Sequence, residues 1–353
     1  MLKFALLGCG RISKRHSELL GLNQINNATL IAVCDLIKEK AENISKRMKV
    51  PFYQDMHEMM RKEDIDVIVI LTESGNHANH VIELANYGKH IIVEKPMALS
   101  LEDADRMISA CEKNKVKLFV IKQNRFNLPV RKLREAIEQG RFGKIVMGTV
   151  RVRWCRKQEY YDQDKWRGTW ALDGGVLANQ ASHHIDLLEW MLGAPVSVYA
   201  IAKKALVDIE AEDTAIVVLK FANDAYGIVE ATTGIRPKDL EGSISILGSG
   251  GSVVIEGFAV NKMKTWDFVL PEENDEEVIN KFSENPPNVY GFGHKAYYDH
   301  VVDCILNNKK QLVDGIEGRK SLELINAIYE SIETGKEVIL NFKPSKSKLG
   351  KHI

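Results

Sequence analysis

Residues 4–13 read Phe4-Ala5-Leu6-Leu7-Gly8-Cys9-Gly10-Arg11-Ile12-Ser13. Four apolar residues suit a buried strand, the glycines make a turn, and Ser13 to Leu20 begins a helix. Only in this strand, turn, helix setting does G-x-G-x-x-S carry a physical meaning. The glycines remove side chains where a pyrophosphate meets backbone, and the helix N-terminus presents oriented N–H groups to the same anion. Ser13 stands where a third glycine or alanine is usual, and is still small enough for the helix to pack on the strand. A second apolar run, Leu30 to Cys34, ends in Asp35, twenty-five residues after Gly10, where a carboxylate binds the hydroxyls of an adenosine ribose. The same charge repels a 2′-phosphate, and Leu36 and Ile37 offer no guanidinium to neutralise one. NAD is therefore expected over NADP, with Lys38 the nearby cation that weighs against it.

Downstream, the alternation continues: strand Val67 to Leu71, loop Thr72 to His77, a helix to Tyr87, strand His90 to Val93 and Glu94-Lys95-Pro96. A helix from Leu101 to Lys113, strand Lys117 to Lys122 and loop Gln123-Asn124-Arg125-Phe126 follow. Strands alternating with helices at this spacing predict an α/β fold with a doubly wound parallel sheet over residues 1–124, whose ligands lie beyond the carboxyl ends of the strands. That edge holds Gly8, Gly10, Arg11, Ile12 and Asp35, then Thr72, Asn76 and His77, then Glu94, Lys95 and Gln123, all expected to face the dinucleotide. Pro96 biases Lys95 toward an extended backbone and allows a cis bond. His77 and His80 have the spacing of a metal pair, but no third ligand accompanies them and no metal is expected.

After a helix from Pro129 to Gln139 the pattern changes to strands. Val146 to Trp154, Val196 to Lys203, Thr214 to Phe221, Ala225 to Thr232, Ser243 to Leu247, Ser252 to Ile255 and Lys264 to Leu270 are joined by short turns, which predicts a large, open, mostly antiparallel sheet in a second α+β domain, residues 125–342. Helices Asp186 to Leu192 and His294 to Leu306 are expected to cover one face. The other face is the expected interface of a homodimer or homotetramer. The helix from Arg319 to Thr334 is expected to pack back on the first domain, and the basic residues 343–353 to form a solvated tail.

Within this second half, Asp173-Gly174-Gly175-Val176-Leu177 is a turn that lets backbone approach something closely, and it leads into a helix carrying His183 and Asp186 on one face. The plainer reading of that pair is a polar cluster capping the helix. Upstream, Tyr160 to Trp170 packs four aromatics among cations and acids, too polar for core and too aromatic for a solvent loop. Tyr160, Tyr161 and Trp166 can stack on a nicotinamide, a uracil or a sugar, and Arg167 can hold a carboxylate or phosphate by its fork; alternatively the aromatics staple a long connection to the sheet.

Composition narrows the field. Across 353 residues, Lys plus Arg and Asp plus Glu both number 48, so no net field draws nucleic acid or anionic lipid. Five scattered cysteines without metal-ligand spacing read as reduced thiols of a cytoplasmic protein. The apolar start breaks at Gly8, too early for a signal peptide.

Taken together, Gly8-x-Gly10, Asp35, Glu94-Lys95-Pro96, Asn124-Arg125-Phe126 and the stretch from Gly174 to Asp186 resemble the glucose-fructose oxidoreductase, inositol dehydrogenase and MocA (Gfo/Idh/MocA) family over essentially the whole chain. The resemblance implies a Rossmann domain followed by an open-sheet α/β domain, NAD(P)-dependent oxidation of a sugar or cyclitol, a catalytic lysine at Lys95 and a catalytic histidine at His183. Two positions depart from the family pattern: Asn179 replaces an acidic residue and Ala181 a glycine. With these departures and the Tyr160 to Trp170 stretch, the chain is similar to the branch of UDP-N-acetylglucosaminuronate 3-dehydrogenases, which serves bacterial surface-polysaccharide synthesis. That branch implies a UDP-linked sugar met by Lys95, Arg125, Tyr160, Tyr161, Arg167, Asn179, Gln180, His183 and His184, with Trp166 and Arg167 also near the cofactor. A simpler sugar or cyclitol dehydrogenase and a non-catalytic NAD-holding sensor are the alternatives. The mechanism expected is hydride loss from carbon while a base takes the hydroxyl proton, with Lys95 and His183 sharing the two polar roles in either order. Without a carboxylate at Asn179, His183 is expected to be neutral near pH 7.

Overall fold

Strands covered on both faces cannot alternate polar with apolar, and the first sheet consists of such unbroken apolar runs. In the computed structural model, which describes residues 1–283, 291–341 and 343–352, β1 (Leu2–Leu7), β2 (Ala28–Cys34), β3 (Phe52–Tyr53), β4 (Val67–Ile70), β5 (His90–Val93) and β6 (Leu118–Val120) form one sheet in the order β3-β2-β1-β4-β5-β6. Every pair is parallel. Helices α1 (Ser13–Gly21), α2 (Lys38–Met48), α3 (Met56–Lys62), α4 (His77–Ala85) and α5 (Leu101–Lys113) connect them. The strand order reverses between β1 and β4, the place where a doubly wound sheet opens a crevice for a dinucleotide.

The chain divides into two compact units, Met1–Ile121 with His294–Arg319, and Lys122–Gly293 with Lys320–Ile353. Parts of the expected domain ranges, residues 284–290, 342 and 353, lie outside the described residues. Helix α10 (Gly293–Leu306), expected to cover the second sheet, belongs from His294 onward to the first unit, where Tyr298 meets Phe4 edge to face at 5.9 Å. Helix α11 (Gly315–Thr334) belongs through Arg319 to that unit and from Lys320 to the second.

The second unit holds β7 (Ile145–Arg153), β8 (Pro195–Lys203), β9 (Thr214–Phe221), β10 (Tyr226–Thr232), β11 (Glu241–Gly248), β12 (Gly251–Glu256), β13 (Lys262–Phe268) and β14 (Val338–Ile339) in the order β13-β12-β11-β7-β10-β9-β8-β14. The sheet is antiparallel except where β7 lies parallel to β10. Its helices are α6 (Leu128–Glu138), α7 (Gln158–Asp162), α8 (Ser182–Leu192), α9 (Asp275–Lys281) and most of α11. Strand β9 shows the logic of a sheet with one covered face, since its residues alternate between buried and exposed. Helix α8 lies close on the buried face, because β7 presents Gly148 where a side chain would collide with Leu188 and Leu192. The opposite face leaves Tyr199, Ile201, Ile216, Val218 and Tyr226 exposed.

The basic end of the chain is docked rather than loose. Glu330 Oε2 accepts backbone N–H groups from Ser345, Lys346 and Ser347 at 2.7 to 3.0 Å, and Leu349 is 3% exposed. Charge and serine content point to solvent, but three amides converging on one carboxylate hold the segment on α11. No helix among the described residues is long and apolar enough to cross a membrane.

Candidate active site

In the first unit the glycine turn follows β1. Gly8 has φ +99°, and a Cβ there would come within 2.7 Å of the Leu71 carbonyl carbon, so only glycine fits beside the end of β4. A Cβ on Gly10 would meet nothing within 4 Å, and the residue preceding α1, Ile12, supplies no side-chain cap. The turn thus leaves open ground at a helix N-terminus, with exposed Arg11 beside it, as a pyrophosphate requires. Ser13 Oγ turns back onto Gly10 O and is buried, which is how a serine serves at the third position. Asp35, at the end of β2, accepts N–H groups from Cys9 at 2.7 Å and Ile37 at 2.8 Å. Leu36 and Ile37 are exposed beyond it. An NAD fits these residues. Gly10→Val will weaken NAD binding on the order of tenfold to a hundredfold, as overpacking does, and leave stability within about 0.5 kcal/mol; calorimetric titration and urea unfolding check both.

The neighbouring loops are tied to each other. His77, expected at the cofactor, is 1% exposed with Nδ1 2.8 Å from Pro96 O and Nε2 3.0 Å from Thr72 O, so its ring joins the loop after β4 to the loop after β5. Thr72 Oγ1 lies 3.0 Å from His80 Nδ1, and Asn76 donates to Glu73. Glu94 is likewise turned inward. Its Oε2 accepts the Lys95 N–H at 2.9 Å, and its Oε1 lies 3.1 Å from His16 Nε2, whose Nδ1 meets Tyr298 Oη at 2.7 Å. Burial works to raise the Glu94 pKa, but hydrogen bonds from His16 and His294 hold it well below the ordinary carboxylate range. These three residues are the group with metal-ligand proximity among the described residues, their ligand atoms within 4.8 Å of one another. The Lys95–Pro96 bond is cis and Lys95 is half-buried, its backbone seated on Glu94.

In the second unit, residues 122–126 and α8 assemble around an ion pair. Arg125 donates to both oxygens of Asp186 at 2.8 Å, Lys122 Nζ lies 3.5 Å from Asp186 and donates to Ser321 Oγ at 2.7 Å. Burial would raise the Asp186 pKa, yet Arg125 and Lys122 hold it at about 2. Arg125, expected at the substrate, is 2% exposed and lies 4.9 Å over the Trp190 ring, where its side chain braces α8. Asp186 in turn is engaged with Arg125 and Lys122, and His183 adds to the field that lowers its pKa.

His183 opens α8, buried to 8% exposure, with Gln123 Nε2 3.0 Å from its Nε2. Gln123, expected on the cofactor, therefore sits on the imidazole, an amide where a carboxylate would make the ring more basic. Asn179 donates to Asp173, whose other oxygen accepts the Gly168 N–H at 2.9 Å. Gln180 is 6% exposed. His184, expected at the substrate, is fully buried, edge-on to Trp154 at 5.8 Å, and burial lowers its pKa to about 4.

The stretch from Tyr160 forms an alternating stack. The Arg167 guanidinium lies 4.8 Å over Tyr160 and 4.5 Å over Trp166, while Arg156 lies 5.5 Å over Tyr160 and 5.2 Å over Trp154. Asp164 and Tyr160 Oη hold Arg167 at 3.0 and 2.9 Å. Trp154 and Arg156 went unmarked in the sequence because they lie outside the aromatic run. Tyr161, by contrast, packs on Val207 and Ile209 with its hydroxyl 3.1 Å from Thr233 Oγ1, which makes it core. A planar, cationic and aromatic wall of this kind suits a sugar nucleotide or an anionic sugar.

Known proteins bear on both units. Residues 2–122 match the family description "Oxidoreductase family, NAD-binding Rossmann fold", and residues 134–340 match "Oxidoreductase family, C-terminal alpha/beta domain". The chain is 41% identical to the WlbA dehydrogenase from Bordetella pertussis, solved with NADH and UDP-GlcNAcA, over 97% of this chain and 98% of that one with a TM-score of 0.92. It is 42% identical to the WlbA dehydrogenase from Chromobacterium violaceum, solved with the same two ligands, over 97% of this chain and 96% of that one with a TM-score of 0.91. It is 27% identical to the myo-inositol 2-dehydrogenase of Thermotoga maritima over 96% of this chain and 98% of the relative.

Proposed function

The chain belongs to the Gfo/Idh/MocA oxidoreductase family, and on that premise we propose that it oxidises the C3 hydroxyl of a UDP-linked N-acetylglucosaminuronic acid to the 3-keto sugar. At the coarser level it is an NAD-dependent sugar dehydrogenase. The observation that carries the finer reading is the full-length likeness, above 40% identity, to two dehydrogenases solved with NADH and UDP-GlcNAcA. The guanidinium and aromatic stack of Arg156, Tyr160, Arg167 and Trp166 supports it, since a nucleotide and two kinds of anionic group need such a wall.

NAD supplies the hydride acceptor in this reaction. The sugar carbon gives up its C–H electron pair, the C3 oxygen loses its proton, and a carbonyl forms. Negative charge gathers on that oxygen as the bond to hydrogen breaks, so a fixed cation and a proton acceptor both lower the barrier. We assign the cation to Lys95, whose backbone is pinned by Glu94, and the acceptor to His183, whose ring is held by Gln123 at 3.0 Å. The exchanged assignment satisfies the same chemistry.

Likeness to the myo-inositol enzyme favours a second reading, a cyclitol or simple-sugar dehydrogenase. The two differ in whether the site holds a nucleotide. UDP alone, at a hundred times its dissociation constant, will stabilise a UDP-sugar enzyme by about 2.7 kcal/mol in a thermal unfolding assay. No shift with UDP, together with NADH formation from inositol, replaces the first reading with the second. We further propose that the exposed apolar face of the second sheet, with Tyr199, Ile201 and Ile216, joins copies into a homodimer or homotetramer working in the cytoplasm.

A further inference from the structure

The turn Gly174-Gly175-Val176-Leu177 precedes His183 and is gripped from outside α8. Gly175 N–H donates to Tyr329 Oη at 3.2 Å, and Tyr329 Oη donates in turn to Glu212 Oε1 at 3.0 Å. Leu177 N–H donates to the same Oε1 at 2.9 Å, and Val176 N–H to the Glu212 carbonyl at 2.9 Å. Glu212 and Tyr329 are 5% and 1% exposed, and a Cβ on Gly175 would stand 2.3 Å from the Glu212 carboxyl carbon. This is the close approach that the glycine pair permits.

From the turn, backbone bonds run without a break to the helix start. Asn179 N–H donates to Gly175 O at 3.0 Å, Ala181 N–H to Val176 O at 2.7 Å, and His184 and Ile185 N–H to Ala181 O at 2.9 Å. Residues 175–185 therefore move as one rigid piece, and whatever fixes Gly175 and Leu177 fixes the imidazole of His183. No side chain caps the start of α8, so its first turn is placed by this outside hold while Arg125 and β7 hold the rest of the helix.

We propose that Tyr329 and Glu212 are positioning residues for the reaction, acting through the Gly175–Leu177 turn to set where His183 stands. The inference rests on the reading that His183 is a catalytic residue. Its chemistry is that of an acceptor: Oε1 must receive two hydrogen bonds, while the second carboxylate oxygen, Oε2, is buried with no partner and is dispensable. Burial raises the Glu212 pKa to about 7, so the uncharged acid is already well populated near neutral pH, and glutamine reproduces it.

The test compares Tyr329→Phe, Glu212→Ala and Glu212→Gln with the parent protein. One readout is steady-state NADH formation from UDP-N-acetylglucosaminuronic acid; the other, needing no substrate, is amide hydrogen exchange at Gly175 and Leu177 with the NMR resonances of the His183 ring. Tyr329→Phe and Glu212→Ala are expected to lower kcat by about tenfold to a hundredfold, as a misplaced catalytic group does, with KM for NAD within about twofold of the parent. Exchange at both amides accelerates and the His183 resonances shift. Glu212→Gln restores kcat and exchange. Unchanged exchange and His183 resonances in Tyr329→Phe overturn the proposal, and should Glu212→Ala fail to fold, Tyr329→Phe alone decides. If the parent does not oxidise this sugar, the functional reading fails while the exchange and resonance data still judge the positioning role. A His183→Asn protein with parental turnover sinks the catalytic reading instead.

Discussion

Lys95→Met and His183→Asn proteins will each still bind NAD and will reduce it in a single turnover about a hundredfold to ten-thousandfold more slowly. Neither substitution touches the glycine turn or Asp35, so the dinucleotide keeps its site. What each removes is a group acting only as charge builds on the sugar oxygen, and such losses appear in the chemical step rather than in binding. Methionine keeps the length of the lysine stem without its charge, and asparagine keeps the hydrogen-bonding edge of an imidazole without its basicity. The measurement is stopped-flow absorbance of NADH with enzyme in excess. Parental rates in both proteins would remove these residues from the mechanism, and a loss confined to one would show which of the two carries the proton.

The second large effect is on stability. Asp186→Ala and Arg125→Ala will each destabilise the protein by about 3–5 kcal/mol in urea unfolding, because the first leaves Arg125 and Lys122 without their counter-ion and the second leaves Asp186 with Lys122 alone, at 3.5 Å. Arg125 and Asp186 are 2% and 1% exposed, so water cannot replace the missing partner. Replacing all three charges together with apolar side chains of similar volume, Lys122→Met and Arg125→Met with Asp186→Leu, will recover much of the loss, since a buried ionic cluster and apolar side chains of equal size are often of similar stability. The sign with pH follows from Asp186: its folded pKa of about 2 lies below the unfolded value of 3.8, so its stabilisation is present above 3.8 and is lost as pH falls through 2. If the triple variant recovers none of the loss, the cost lies in lost packing instead.

The first sheet was legible because its strands are unbroken apolar runs placed between turn residues, and Gly8, Gly10 and Asp35 mark its nucleotide edge by spacing alone. Residues 38–62 were not, since α2 buries only Ala41, Ile44 and Met48 among charges and β3 is two residues long, too little for any period to show. In the second unit the alternating strands were visible, but the parallel meeting of β7 and β10 was not, because that pairing joins segments far apart in the chain. Lys95 and His183 could be named from their neighbours in sequence. Their contacts could not: Glu94 meets the Lys95 N–H and Gln123 the His183 ring, while His77, Arg125, Tyr161 and His184 carry site-like chemistry and are buried in loop, helix and core, which only the three-dimensional structure shows. The same holds for Glu212 and Tyr329, which lie 37 and 154 residues beyond Gly175.

The first unit is completed by a late return of the chain. Residues 294–319 supply Tyr298 beside Phe4, His294 beside Glu94, and the Val313 carbonyl that receives the Val120 N–H at 3.3 Å. A gene cut after residue 121 would thus yield a nucleotide-binding half stripped of one flank of its own interior. In a chain made from its N-terminus, that flank of the nucleotide fold is supplied only once residues 294–319 have been translated.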